Sequence, residues 1–132
     1  MSGLPINPEG LPDPSGFSHG MLSSGGRLLH VAGETGHHED LSLDEGFVAQ
    51  FARACSNVAA VVAEAGGDPA DVVSMTIYTT DVAAYRDNLP EVGKAYRDVF
   101  GRHFPAMALI GVSELVDPRA IVEITAVAAI GD

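Results

Sequence analysis

Glu123 stands in the run Ile121-Val122-Glu123-Ile124-Thr125-Ala126, a carboxylate in the middle of a segment that otherwise reads as an apolar strand. Burying an ionised carboxylate is costly unless water or a partner satisfies it. An acid in that setting marks a candidate functional site before any other feature of the chain. Rival constellations are weaker. His37-His38-Glu39-Asp40 has metal-ligand residue types, but adjacent loop residues rarely chelate one ion and no third ligand group has suitable spacing, so a solvated loop is expected. His19 reads as a hydrogen-bonded strand histidine. Ser18, Ser74 and Ser113 lack a nearby His-and-acid pattern for nucleophilic catalysis. Gly25-Gly26 lies between two candidate strands and reads as a turn, since no Gly-rich strand-to-helix junction follows it. Cys55, the single cysteine, falls on the apolar side of a candidate helix without basic neighbours and reads as a buried, inert thiol.

The elements that would position these groups follow from periodicity. Residues 1–16 are rich in proline, glycine and aspartate and predict an extended, turn-rich lead-in. Phe17 to Leu22 and Arg27 to Ala32 read as strands around a Ser-Ser-Gly-Gly turn, the second ending at Gly33. Ser42-Leu43-Asp44-Glu45 has the form of a capping box, and Phe47, Phe51, Cys55, Val58, Val62 and Ala65 continue at helical spacing to Gly66-Gly67. Asp71 to Thr80 alternates, with Val73, Met75 and Ile77 on one face and Ser74, Thr76 and Tyr78 on the other. A short helical turn over 83–88 precedes a helix from Leu89 to Phe100, with Pro90 in its first turn and Gly101 at its stop. Strands at Ala106 to Ser113 and Ala120 to Ile130 complete the chain; in the last, Val122, Ile124, Ala126 and Ala128 form the apolar face. The order β-β-α-β-α-β-β predicts a two-layer α+β domain over 1–132, with two helices on one sheet face. Glu123 would project from the other face, whose half-apolar surface predicts burial in an oligomer.

Composition narrows the partners. Against 7 basic side chains stand 18 acidic ones, a formal net charge of −11. That balance repels phosphate backbones and anionic lipid, so no nucleic acid and no membrane partner is expected. No apolar run is long enough to span a bilayer and no secretory signal is present, which makes a cytoplasmic setting the expectation.

Several segments together carry a family resemblance. They are Gly16-Phe17-Ser18-His19-Gly20, Val31-Ala32-Gly33-Glu34-Thr35-Gly36, Gln50 and Asn57, Asp71-Val72-Val73, and Tyr78-Thr79-Thr80-Asp81. Tyr96, Phe100, Phe104-Pro105-Ala106 and Val122-Glu123-Ile124 extend the match over nearly the whole chain. The sequence resembles the Rid/YjgF family of imine deaminases. The resemblance implies a chorismate-mutase-like fold, a homotrimer with clefts between subunits, and hydrolysis of small 2-imino or 2-enamino acids without metal or organic cofactor. In that chemistry an arginine grips the substrate carboxylate and a glutamate activates the attacking water.

Carried over by position, Glu123 matches the water-activating glutamate and Gly33 a glycine whose backbone lines the cleft. Three positions depart from the pattern: Met107 stands for the arginine, Phe17 for a tyrosine, and Gly93 for an asparagine. All three remove hydrogen-bonding groups. Glu34, where the family often has glutamine, reads as either a solvated loop charge or a cleft residue, and Leu109 completes the expected cleft. The resulting expectation is a divergent hydrolase whose apolar cleft prefers neutral or cationic metabolites over free carboxylates. A trimer that only binds a metabolite or stabilises other proteins is the alternative. A third reading, from the nuclease label sometimes attached to relatives of this family, fits poorly with the charge. Arg27, Arg102 and Arg119 are the cations that could reach the cleft from a neighbouring subunit.

Overall fold

The computed structural model describes residues 3–23 and 25–131. Helix α1 (Phe47–Glu64) turns one face inward, with Phe47, Phe51, Ala54, Cys55, Val58 and Val62 buried at helical spacing. Each large apolar side chain fully buried this way contributes about 1.5–3 kcal/mol. Gly66 takes φ 87, and the amides of Gly66 and Gly67 donate to the carbonyls of Ala63 and Val62. This left-handed cap satisfies carbonyls that the helix end leaves open. The start differs from expectation. Gly46 is the N-cap without a side-chain hydrogen bond, and Ser42 instead donates to Asp40 in the loop before it.

The main sheet has the order β3-β6-β4-β5. Its strands are β3 (Arg27–Thr35), β4 (Val72–Thr79), β5 (Ala106–Gly111) and β6 (Val122–Ile130). The parallel pair β4–β5 is joined by a crossover through α2 (Val82–Asp87) and α3 (Leu89–Phe100), as a parallel connection requires. Helices α1 and α3 pack on each other and α1 lies across β3 and β6. On β6, Val122, Ile124, Ala126 and Ala128 are buried in the core cluster, while Glu123, Thr125 and Val127 alternate away from it. The two-layer arrangement and the position of Glu123 agree with the sequence-based expectation. Among the described residues, no helix is long and apolar enough to cross a membrane.

The structure corrects several boundaries. The lead-in contains a strand, β1 (Gly3–Ile6), paired antiparallel with β2 (Gly20–Ser23) in a separate two-stranded sheet. Phe17 and Ser18 precede β2, and Ser18 forms an isolated bridge to Ala106 while donating to the carbonyls of Pro105 and Phe104. In the expected turn, Ser24 lies outside the described residues, while Gly25 and Gly26 adopt φ 61 and 81. Strand β4 starts with a register shift between Val72 and Ser74. That bulge gives the core position to Val72, and Val73 is buried outside the core cluster instead. A Cβ on Gly3 would stand 3.3 Å from Val73 Cγ1, so the β1–β2 hairpin covers this end of the sheet. A 3-10 turn over Pro69–Asp71 precedes β4, and Asp68 with Asp71 forms the capping box there.

Candidate functional site

Strand β3 does not stop at Gly33. It runs on to Thr35 through a bulge, because Val31 pairs with Ala126 whereas Glu34 pairs with Ile124. Two residues, Ala32 and Gly33, therefore face the single residue Thr125. The bulge sets Gly33 beneath the Glu123 side chain: a Cβ added at residue 33 would overlap the Glu123 carboxylate. Glycine is the one residue type that leaves this room. Glu123 itself is half-buried, paired with Thr35 on one side and Tyr78 on the other. No described residue donates a hydrogen bond to its carboxylate.

The same bulge places Glu34 in register with core-facing Ile124. There it lines a hollow of about 410 Å³ with Gly33, Arg53 and Asn57. Burial, and after it the negative charge of Glu123, raise the Glu34 carboxyl above its ordinary pKa. Two side chains on α1 hold the surroundings. Asn57 donates to the carbonyls of Thr35 and His37. Buried Gln50 donates to the carbonyls of Asp44 and Arg119 and accepts from the Ile121 amide, fixing the entry to β6. The loop after β3 is also more ordered than expected. Thr35 Oγ1 donates to His37 Nδ1, and His37 Nε2 donates to Asp117 at 2.9 Å in the tautomer that satisfies both. His38 pairs with Asp44.

Met107 occupies a different place. Its register partner on β4 is core-facing Met75, so it points to the helix side of the sheet. There it lines a cavity of about 310 Å³ with Phe51, Val92, Gly93, Phe104 and Arg97 among others. Tyr96, another wall residue, donates its hydroxyl to the His103 carbonyl at 2.6 Å and stacks on Phe100 and Phe104. Phe17 lies outside this cavity. It lines an open groove with Ser18, His19, Ser74 and Thr76, which Met107 also borders, and meets the His19 ring edge-on at 5.1 Å. His19 donates to the Pro12 carbonyl, as a hydrogen-bonded histidine should. Leu109 pairs with Ile77 and packs against the core. Cys55 is fully buried, and burial pushes its thiol up to about 12.

Within one chain the expected residues thus form two groups. Met107 and Gly93 share the helix-side cavity, whereas Glu123 and Gly33 meet on β6 and β3, with Glu123 on the opposite sheet face. Arg97 is the cavity residue that sequence reasoning missed. The signal was its spacing of four from Gly93, which places both on one helix face.

The family model described as Endoribonuclease L-PSP matches residues 12–130. A RutC family protein of Aquifex aeolicus is 35% identical over 103 residues, covering 76% of this chain and 80% of the relative. Among solved structures, YyfB of Yersinia pestis, a protein of the conserved Rid family, superposes with a TM-score of 0.87. It shares 32% identity and covers 98% of this chain and 100% of its own. RidA from the Antarctic bacterium Psychrobacter sp. gives a TM-score of 0.70 at 25% identity, over 90% of this chain and 92% of the other.

Proposed function

The chain belongs to the Rid/YjgF family, described in its family model as Endoribonuclease L-PSP, and from that premise we propose that it hydrolyses a small imine or enamine. In this reading Glu123 holds a water molecule against the imine carbon and takes its proton as the C–O bond forms. The proton is returned to nitrogen, the hydroxyl of the resulting carbinolamine then passes its own proton to nitrogen as the C–N bond breaks, and the products are a carbonyl compound and ammonia. The step needs one water and no oxidant, metal or organic cofactor.

The observation that carries the reading is the Glu123 carboxylate poised over Gly33. It accepts no hydrogen bond from any described residue, on a strand whose neighbours are apolar. An acceptor held half-buried with free lone pairs suits the binding of a reacting water. The substrate body would occupy the cavity lined by Met107 and Gly93, with Phe17 and Leu109 shaping its surroundings and Glu34 adjoining the glutamate. Since the cavity and Glu123 lie on opposite sides of one sheet, a substrate touching both needs Glu123 from one copy and the cavity from another. A homotrimer with three such clefts satisfies this.

The formal charge of −11 makes a nucleic acid a poor substrate for this surface. The test is release of 2-oxobutyrate and ammonia from enzymatically generated 2-iminobutyrate, and from bulkier imines, by the wild type and by Glu123→Ala. The expected result is hydrolysis by the wild type that falls about 10²–10⁴-fold in Glu123→Ala, the usual contribution of a positioned general base. Release no faster than the uncatalysed reaction in both proteins would overturn the hydrolase reading and leave a binding protein, whereas catalysed release at equal rates would remove Glu123 from the step.

A further inference from the structure

Position 107 carries no charge, yet the cavity is not without a cation. Arg97 lies on α3 four residues after Gly93, and helical side chains lean toward the N-terminus of their helix. The Arg97 side chain therefore folds back over residue 93. A Cβ placed on Gly93 would stand 3.0 Å from Arg97 Nη1, tighter than ordinary van der Waals contact. A larger side chain at 93 would push the guanidinium out of this position, so Gly93 is what allows it.

Two further observations give the guanidinium a purpose. Arg97 is exposed at the mouth of the cavity and forms no hydrogen bond or ion pair with any described residue, although Lys94 on the same helix is paired with Asp98 at 2.9 Å. The walls around it are mostly apolar, with Ser15, Tyr85 and Tyr96 the polar members, and none of them offers a counter-charge. A free guanidinium beside an apolar cavity of about 310 Å³ suits a small molecule with an anionic end and an apolar body.

Resting on the hydrolase reading, we propose that Arg97 is the carboxylate anchor of this protein, so that the cation sits on helix α3 instead of strand β5. The substrate class is then a 2-imino or 2-enamino acid with a short apolar side chain. The carboxylate would be gripped by Arg97, and Met107 on the facing strand would contact the apolar part. This reverses the preference for neutral or cationic ligands that Met107 alone suggests.

The test compares binding of 2-oxobutyrate with that of its uncharged amide, 2-oxobutanamide, by NMR titration of the full chain. The wild type should bind the acid more tightly than the amide. Arg97→Gln should weaken acid binding by about ten- to a hundredfold, the loss of one charge-assisted contact, and leave the amide unchanged. Arg97→Lys should retain part of the acid affinity, and Lys94→Gln, one residue from Gly93 on α3, all of it. Equal affinity for acid and amide in the wild type, or no response to Arg97→Gln, would overturn the proposal. Kinetics separate it from the hydrolase reading. Imine hydrolysis that needs Glu123 but ignores Arg97→Gln removes the anchor and keeps the enzyme. Arg97-dependent acid binding without any hydrolysis keeps the anchor and removes the enzyme.

Discussion

Gly33 and Gly93 make the same contribution in different elements: each gives up a side chain so that a charged group can occupy the vacated space. At Gly33 the atoms that an added methyl would meet are the far end of the Glu123 side chain. A flexible end can swing aside, and residue 33 is exposed without a positive φ. Gly33→Ala should therefore change stability by less than about 1 kcal/mol, while displacing the carboxylate and removing most of the Glu123-dependent hydrolysis. A thermal melt beside the imine assay checks both halves. Full activity in Gly33→Ala would mean that the position over residue 33 is not the reactive one. Glu123 was legible in the sequence because a lone acid interrupts an apolar alternation. Arg97 was not, because a charged residue on a helix face reads as solvated until the glycine one turn earlier is seen to open a path into the cavity.

Elements with one strong period were read almost to the residue. Helix α3 spans Leu89–Phe100 as its apolar stripe and Pro90 predict, and Gly101 ends it at φ 63. Elements defined by long-range pairing were not. Strand β1 is four residues whose pairing to β2 crosses a proline-rich loop, and the bulges in β3 and β4 are properties of the partner strand as much as of their own residues. The clasp on the loop between β5 and β6 is of the same kind. Asp117 accepts from Arg119 and from His37, tying this loop to the end of β3 beside Glu123. Hydrogen bonds from Arg119 first, then from His37, hold the Asp117 carboxyl well below the usual carboxylate range. A carboxyl whose pKa falls on folding adds stability that is present above its unfolded value of about 4 and is lost as pH drops toward the folded one. The melting temperature of the wild type should accordingly exceed that of Asp117→Asn at pH 7, and the gap should narrow steadily below about pH 4. A gap that stays constant down to pH 2 would show that the clasp does not titrate as this geometry requires.

On the scale of the whole molecule, the helices cover one face of the main sheet and the other face carries Glu123. That second face presents Thr76, Tyr78, Ala108, Ile110 and Thr125 around Glu123, with Ile110 46% exposed and Leu28 at the β3 end 59% exposed. A face so mixed in polarity is stable in water as a surface, yet it exposes enough apolar area to gain from covering by another copy. If the cleft is completed between chains, assembly and catalysis must fail together. Ile110→Arg places a charge on this face, on an edge strand whose side chain at 110 points away from the helix-side cavity. It should leave the fold and the Arg97-dependent binding of 2-oxobutyrate in place. Sedimentation should show the mass falling from that of three chains to that of one, and imine hydrolysis should fall with it. An Ile110→Arg monomer that still hydrolyses imines at the wild-type rate would overturn the shared cleft, because Glu123 and the cavity lie on opposite faces of the sheet in one chain.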